Sequence, residues 1–247
     1  PDSIVTKGGT GVGISNPYQL YVSGKYAYVV NYDNARLSVF DVSNPDSIVA
    51  KAYTSVGLHS PLCVYVSGKY AYVGDGWQFL CIFDISNPDS IVTGATTNVG
   101  ISAPQNLYVS GKYAYVSNYG NNTLSIYDVS NPTAIVIRGN TGVGLSQPEG
   151  VYVSGKYAYV ASAGNSQLRI YDISNPDSIV TKGNSTDSLG WCTGVFVSGK
   201  YAYVADAGAT SLSILELNNT DTPTFNTGAA TISNLQVYDN AQFDNDV

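Results

Sequence analysis

The side chains best suited to binding a ligand are few, and most of them lie between the repeated segments of the chain. The sequence has one histidine, His59, and two tryptophans, Trp77 and Trp191. A tryptophan ring offers a large flat surface that stacks on sugar rings or anchors a protein interface. For each tryptophan the alternative is a structural role, in which the ring covers the end of its own repeat. The candidate ligand-binding residues are Trp77, His59, Trp191, Asp75, Tyr32 and Tyr119.

A second set of polar side chains recurs once in each of the five sequence repeats described below, at the end of the second predicted β-strand of the repeat. This set, called here the polar ring, consists of Asn31, Asp75, Asn118, Ser162 and Asp206. Oxygen atoms arranged around an axis can bind water or a hard cation such as calcium. Asn, Asp and Ser also form local hydrogen bonds in turns, so the sequence leaves both roles open.

The sequence lacks the residue groups that hydrolases and metalloenzymes use. With a single histidine there is no multi-histidine metal site, and no recognisable motif places a serine or cysteine beside His59. The stretch GGTGVG at 8–13 lacks the lysine and the following helix of a phosphate-binding loop. Cys63, Cys81 and Cys192 fit neither a disulfide framework nor a metal site. We therefore expect a non-catalytic protein with no cofactor, calcium excepted.

These side chains are set in a repeated scaffold. The heptapeptide SGKYAYV occurs five times, with its glycine at positions 24, 68, 111, 155 and 199. The first unit predicts four β-strands, QLYV, KYAYVV, RLSVFDV and SIVAKA, separated by Gly and Asn-Pro turns. Both faces of the second strand are apolar, so each sheet must be sandwiched between neighbours. The repeated glycines are 43 or 44 residues apart. Four strands in a repeat of that length predict an all-β, five-bladed β-propeller over residues 1–217.

The two ends of the repeat region complete each other. The fifth unit lacks a fourth strand, whereas the chain opens with PDSIVTKG, the sequence of a fourth strand. We therefore predict that residues near Ile4 and Val5 pair with the strand around 211–217 and close the ring. Closure would hide sheet edges that otherwise promote aggregation. Residues 218–247 are predicted to be a linker followed by the start of a β or stalk-like segment, or else a disordered tail.

The third-strand sequences LSVFD, LCIFD, LSIYD and LRIYD, each followed by Val or Ile and then Ser-Asn-Pro, resemble the LVIVD propeller repeat. The second-strand ends YVVN, YVGD, YVSN, YVAS and YVAD resemble the related YVTN repeat. The fifth unit departs from the pattern, with Leu215 and Glu216 where the others have an aromatic residue and Asp. The resemblance covers about residues 1–217. It implies a propeller of large prokaryotic cell-surface proteins, and hence an extracellular or cell-surface location. Because the chain starts with Pro1 inside a repeat unit, we expect it to be a fragment of a larger protein.

The two ends of each predicted blade differ in how much the copies vary. The SGK and SNP turns at one end are nearly invariant, whereas the loops and connections at the other end differ and carry His59 and both tryptophans. Loops on a rigid scaffold are the usual place for binding residues. The lysines of the invariant end serve solubility and turn geometry, or contact an acidic partner. They are Lys25, Lys69, Lys112, Lys156 and Lys200.

The composition narrows the choice of partner. Charged residues make up 12% of the chain and the formal net charge is −7, which argues against nucleic acid and anionic membrane as partners. The sequence has no run of about 18 apolar residues, the length that would predict a membrane-spanning helix. We predict a recognition or adhesion module that binds a glycan or a surface protein through the variable loops. The alternative is a structural spacer or self-associating unit of an extracellular fibre or surface layer.

Overall fold

The structure is a computed structural model, and it describes residues 4–185 and 189–217. The described chain consists of β-strands, with one 3-10 turn at Ala163–Asn165. The strands form five antiparallel sheets of consecutive strands, here called blades 1 to 5 in chain order. The all-β class, the five repeats and the order of strands within each sheet confirm the prediction.

The first four blades have four strands each, and blade 5 has three in the described residues. Blade 1 contains β1 (Pro17–Ser23), β2 (Tyr26–Asn31), β3 (Arg36–Asp41) and β4 (Val49–Thr54). Blade 2 contains β5 (Pro61–Ser67), β6 (Tyr70–Asp75), β7 (Phe79–Asp84) and β8 (Val92–Thr97). Blade 3 contains β9 (Pro104–Ser110), β10 (Tyr113–Asn118), β11 (Thr123–Asp128) and β12 (Val136–Thr141). Blade 4 contains β13 (Pro148–Ser154), β14 (Tyr157–Ser162), β15 (Gln167–Asp172) and β16 (Val180–Asn184). Blade 5 contains β17 (Cys192–Ser198), β18 (Tyr201–Asp206) and β19 (Ser211–Glu216).

Local turn chemistry sets the strand boundaries. Gly24 adopts a φ of 57° in the two-residue turn between β1 and β2, a backbone conformation that costs little only for glycine. After β3, the Asn44 side chain accepts a hydrogen bond from the Asp46 amide at 3.1 Å, and Ser47 N–H donates to the Asn44 carbonyl at 3.0 Å. This turn keeps the chain out of the sheet longer than the sequence predicts. The fourth strand therefore begins at Val49 rather than at Ser47.

The blades pack face to face, with the tyrosine face of one blade against the smaller face of the next. Tyr28, Val30 and Leu37 of blade 1 join one buried cluster with Val64 and Val73 of blade 2. The next three pairs of blades form equivalent clusters. This arrangement confirms that each sheet is sandwiched between neighbours. It also explains why both faces of the second strand are apolar.

An aromatic ladder connects the first strands of successive blades. The ring centroids of Tyr21 and Tyr65 are 4.7 Å apart, and those of Tyr65 and Tyr108 are 5.0 Å apart. The ladder continues through Tyr152, at 5.1 Å, to Phe196, at 5.0 Å. The inclined ring pairs are favourable aromatic geometries. The ladder ties the five blades into one continuous arc.

The predicted closure of the ring is not seen in the described residues. Ile4 and Val5 lie in no strand and are 101% and 69% exposed, instead of pairing with β19. Blade 5 accordingly has three strands where four were predicted. Pairing Ile4 with β19 requires the two ends of the arc to meet. In this structure the outward faces of both end blades are still exposed to solvent. The predicted linker and tail at 218–247 lie outside the described residues.

The three cysteines, Cys63, Cys81 and Cys192, are free and buried. Burial raises the pKa of the Cys63 thiol to about 12 and the pKa values of Cys81 and Cys192 to about 11. Because the thiolate is the reactive form, we expect no reaction with a disulfide reagent such as DTNB at about pH 8 in the native state. All three thiols should react in urea. Rapid reaction of one native thiol would contradict the burial.

Candidate functional site

The polar ring anchors the loops at the variable end of the propeller. Each of its five side chains is buried and accepts a hydrogen bond from a backbone amide 16 residues earlier, in the connection that enters the same blade. Asp75 Oδ2 accepts from His59 N–H at 2.7 Å, and Asn118 Oδ1 accepts from Ser102 N–H at 3.2 Å. The described contacts therefore give the ring a structural role. Calcium binding by the same oxygens stays a prediction.

Asp75 and Asn118 hold their loops in different ways. Asn118 Nδ2 donates to Ser125 Oγ at 3.1 Å, so its amide has partners for both of its ends. In blade 2 the residue at the position of Ser125 is Cys81, and Asp75 has no N–H to donate. Its carboxylate instead accepts from three amides, those of His59, Ser60 and Trp77, at 2.7, 3.0 and 2.9 Å. Asp75 thereby joins the β6–β7 loop to the connection that carries His59.

Asp206 in blade 5 is held in a similar way. Its carboxylate accepts hydrogen bonds from Gly190 N–H at 2.7 Å and Ala209 N–H at 2.9 Å. The bonds from Ala209 and Gly190 favour the ionised form and lower the pKa of Asp206. The carboxylate stays charged, and it fixes the connection next to Trp191.

Blade 2 presents an exposed aromatic stack, called here the Trp77 stack. The Trp77 ring is 64% exposed and lies parallel to the His59 imidazole, with centroids 4.6 Å apart and an interplanar angle of 6°. His59 also lies near Phe79, at 6.0 Å between centroids. His59 Nδ1 is 3.9 Å from Asp75 Oδ1, which is too long for a hydrogen bond. His59 therefore supports one face of Trp77, and much of the indole remains open to solvent.

A second cluster, called here the Trp191 cluster, spans blades 3 to 5. The Trp191 ring is 39% exposed, and its Nε1–H donates to Glu149 Oε1 at 3.3 Å. Tyr119 lies 6.5 Å from Trp191 between ring centroids, and its hydroxyl accepts from Gln147 Nε2 at 2.7 Å. Burial raises the pKa of Glu149. The cluster combines aromatic surface with hydrogen-bonding groups.

The structure brings together only some of the six predicted ligand-binding residues. Trp77, His59 and Asp75 form one site, and Tyr119 and Trp191 belong to another. Tyr32 is 40% exposed and pairs with Tyr18, at 6.3 Å between ring centroids. In the described part of the chain no ring contact connects Tyr32 to either site. Each predicted aromatic therefore lies at the variable end, but they do not form a single surface.

Glu149 and Gln147 were missed by the sequence analysis. Glu149 is one of only two glutamates in the chain, and it occupies the second position of a first strand, where blade 2 has Leu62. That departure from the repeat was the available signal. The partner of Glu149, Trp191, could not be found in the same way, because it lies 42 residues away in the sequence and the packing of the blades brings it close.

The invariant end is occupied by turn contacts. Asp41 Oδ1 accepts from the Ser43 amide at 3.0 Å and from the Ser43 hydroxyl at 2.6 Å, and these bonds lower the pKa of Asp41. Asp128 and Asp172 repeat both contacts. The five turn lysines each lie over a neighbouring tyrosine ring, with Nζ 5.1 to 5.4 Å from its centroid. These contacts support the scaffold role of this end.

Across residues 4–185 and 189–217, no cluster of three or more His, Cys, Asp or Glu side chains is arranged to hold a metal ion. Across the same residues, no helix has the length and apolar character needed to cross a membrane. The polar ring is not a cluster of that kind, because most of its members are Asn or Ser.

Several solved structures share the fold of this chain but have low sequence identity to it. A candidate 6-phosphogluconolactonase from Bacteroides uniformis superposes with a TM-score of 0.68 at 16% identity, over 80% of this chain and 65% of that chain. A periplasmic gluconolactonase from Pseudomonas aeruginosa gives 0.62 at 15% identity, over 81% and 57% of the two chains. The computationally designed Ika8 protein gives 0.62 at 9% identity, over 80% and 57%. This chain thus spans about three fifths of their length, and identities this low show the fold alone.

Sequence comparisons identify the repeat. No curated protein matches the chain. The sequence model of the LVIVD repeat matches five times, at residues 16–53, 63–95, 103–141, 147–187 and 190–225. The matches follow the five blades and together cover well over half of the sequence, so the chain belongs to the LVIVD repeat family.

Proposed function

We propose that this protein is a non-catalytic recognition module of an extracellular or cell-surface protein, which binds a glycan or a surface protein through its variable loops. The observation that carries the proposal is the geometry of Trp77. The residue is 64% exposed, yet its indole lies flat against His59, with ring centroids 4.6 Å apart. An exposed aromatic that is already ordered loses little conformational entropy when a ligand stacks on it.

The Trp191 cluster supports the same proposal. Sugar rings present an apolar face and a rim of hydroxyl groups, so a sugar site combines an aromatic platform with hydrogen-bonding side chains. Trp191 and Tyr119 supply the aromatic surface, and Glu149 and Gln147 supply donors and acceptors. The raised pKa of Glu149 reflects a partly desolvated carboxyl group, where a hydrogen bond from a ligand is stronger than in water.

The contacts of His59 favour binding over catalysis. Its ring stacks on Trp77 and lies near Phe79, and Nδ1 is 3.9 Å from Asp75 Oδ1. A general base needs a hydrogen bond that fixes its tautomer and a nucleophile within reach. The lactonase names of structural neighbours carry no activity to this chain, because fold does not imply function.

The test is a binding measurement on Trp77→Ala. An array of immobilised glycans first selects the tightest ligand, and calorimetry then compares variants on that ligand. Loss of a stacking partner should weaken binding several-fold, equivalent to about 1 kcal/mol. Lys25→Ala, at the invariant end, is the matched control and should leave affinity unchanged. If affinity fell in Lys25→Ala and stayed unchanged in Trp77→Ala, the binding surface would lie at the invariant end and the proposal would fail.

A second candidate function is a structural unit of a surface fibre or layer. The apolar outward faces of blades 1 and 5 favour it, because apolar side chains over half exposed on the face of a sheet mark an interaction surface. A chain that binds no glycan or surface protein but associates with copies of itself would support this candidate.

A further inference from the structure

The outward face of blade 1 is an interblade surface without a neighbouring blade. Leu20 and Val22 in β1 are 60% and 53% exposed. The residues at the same positions of blade 2, Val64 and Val66, are 3% and 4% exposed because blade 1 covers them. Blades 3 and 4 repeat the buried state at these positions. Blade 1 therefore presents the apolar face that blades 2 to 4 bury and that blade 5 buries in part.

Blade 5 presents the opposite half of the same interface. Leu212 and Ile214 in β19 are 66% and 58% exposed, whereas Leu37 and Val39 at the equivalent positions of blade 1 are 0% and 1% exposed. Phe196, the last ring of the aromatic ladder, is 55% exposed. The two end faces are thus the complementary halves of an interface that the molecule already builds four times.

The edges of the two end blades also complement each other. The outer edge of β19 has no strand partner in the described residues, although β3, β7, β11 and β15 each pair with a fourth strand. Residues 1–8, PDSIVTKG, are identical in sequence to residues 176–183, which run into the fourth strand of blade 4. The described part of this N-terminal segment is a fourth-strand sequence without a sheet.

The N-terminal segment is already placed where a preceding blade would hold it. Gly8 lies so close to the Pro45 carbonyl of blade 1 that a side chain would not fit. Gly94 and Gly139, in the fourth strands of blades 2 and 3, approach the prolines of the next blades in the same way, at Pro132 and Pro176. Residues 4–9 therefore lie along blade 1 as the outer strand of a preceding blade would.

We propose that the preceding blade is blade 5 of a second copy of this chain. The blade 1 face of one copy packs on the blade 5 face of the next, and residues 4–9 of the first pair with β19 of the second. The joint reproduces the internal interfaces, continues the aromatic ladder from Phe196 to Tyr21, and supplies the missing fourth strand. Such a head-to-tail contact leaves one free face at each end, so it propagates into a ring or a filament. Within a single chain the two faces remain exposed in this structure.

Sedimentation of the 247-residue chain tests this interface. The wild-type mass should rise above that of one chain between about 5 and about 200 µM, where weak specific interfaces are populated. Leu20→Arg blocks only the blade 1 face, and Ile214→Arg blocks only the blade 5 face. Each variant alone should stay at the mass of one chain, with a dissociation constant weakened at least about tenfold. Val92→Arg, at a 59% exposed site in β8 that lies on neither end face, should behave as wild type.

Mixing the two blocked variants gives the decisive result. One retains an intact blade 1 face and the other an intact blade 5 face, so the mixture should form dimers and stop there. Val5→Pro should weaken wild-type association several-fold, because proline cannot donate to the strand ladder. If a blocked variant fails to fold, Val22→Arg or Leu212→Arg takes its place on the same face.

Three results overturn the proposal. A wild-type chain that keeps the mass of one chain at all concentrations would mean that its faces do not join two copies, as when the ring closes within one chain. Self-association of a single blocked variant would mean that like faces pair with each other. A mixture of folded variants that stays monomeric would mean that the two end faces are not complementary.

Discussion

Phe83→Ala should lower the free energy of unfolding by about 3–5 kcal/mol, the cost of removing a fully buried aromatic side chain from a packed core. Phe83 lies in β7 with no exposed surface, inside the cluster that joins blades 1 and 2. Its loss would leave a cavity between two sheets. Blade 2 cannot move towards blade 1 without disturbing its interface with blade 3, so the cavity should collapse poorly. Urea unfolding followed by circular dichroism measures the change.

Tyr53→Ala is the matched control for Phe83→Ala. Tyr53 is an aromatic residue of the outer strand β4 and is 59% exposed, with the Arg36 guanidinium 4.0 Å from its ring centroid. Losing an exposed cation–π contact should cost about 1 kcal/mol or less. Equal costs for the two variants would mean that the interface between blades 1 and 2 is not the packed core seen in the structure.

Much of the fold could be predicted because its determinants are local. Gly24 and its equivalents in the other repeats each fix a tight turn between the first two strands. The apolar residues on both faces of the strand that contains Tyr28 require a neighbouring sheet on each face. Closure of the ring is different, because it depends on the angle between successive blades summed over the whole arc. That angle follows from how large and small side chains fit between sheets, which the repeat pattern does not encode.

The candidate site was predicted only where its members are close in sequence. Trp77 and Asp75 are two residues apart, and the Trp77 amide donates to Asp75 Oδ1 at 2.9 Å. The pairing of Trp191 with Glu149 was missed because it crosses from blade 5 to blade 4. A ligand contacting the Trp191 cluster would therefore depend on the packing between these blades.

Asp75→Ala should cost about 3 kcal/mol, because it leaves three part-buried amides without an acceptor, each worth roughly 1 kcal/mol. The Asp75 carboxylate is fully buried and accepts from the amides of His59, Ser60 and Trp77. Water entering the site would recover part of the loss. The same three amides set the positions of His59 and Trp77, so the aromatic stack should loosen. Urea unfolding measures the cost, and Trp77 fluorescence anisotropy in a Trp191→Phe background measures the loosening.

Asp75→Asn removes the negative charge, keeps one acceptor oxygen and replaces the other by an NH2 donor. Asn118 shows that an asparagine holds the equivalent loop when its amide can donate to Ser125. In blade 2 that partner is absent, because Cys81 occupies the position, so the new side-chain NH2 group has no acceptor. Both carboxylate oxygens of Asp75 accept from backbone amides, so the change also leaves at least one amide without an acceptor. Asp75→Asn alone should therefore cost about 2 kcal/mol, at roughly 1 kcal/mol for each unpaired donor. Adding Cys81→Ser should restore much of the loss by recreating the pair seen in blade 3.

The comparison of these variants decides what the polar ring does. If it anchors loops, the double variant should be more stable than the sum of the two single changes predicts, and added calcium should not alter the result. If Asp75→Ala is harmless without calcium but removes a stabilisation that calcium gives the wild type, the ring is a cation site. The contacts from His59, Ser60 and Trp77 already satisfy the carboxylate. A cation would have to share it or displace these amides, so we expect the anchoring result, with the order of Trp77 depending on Asp75.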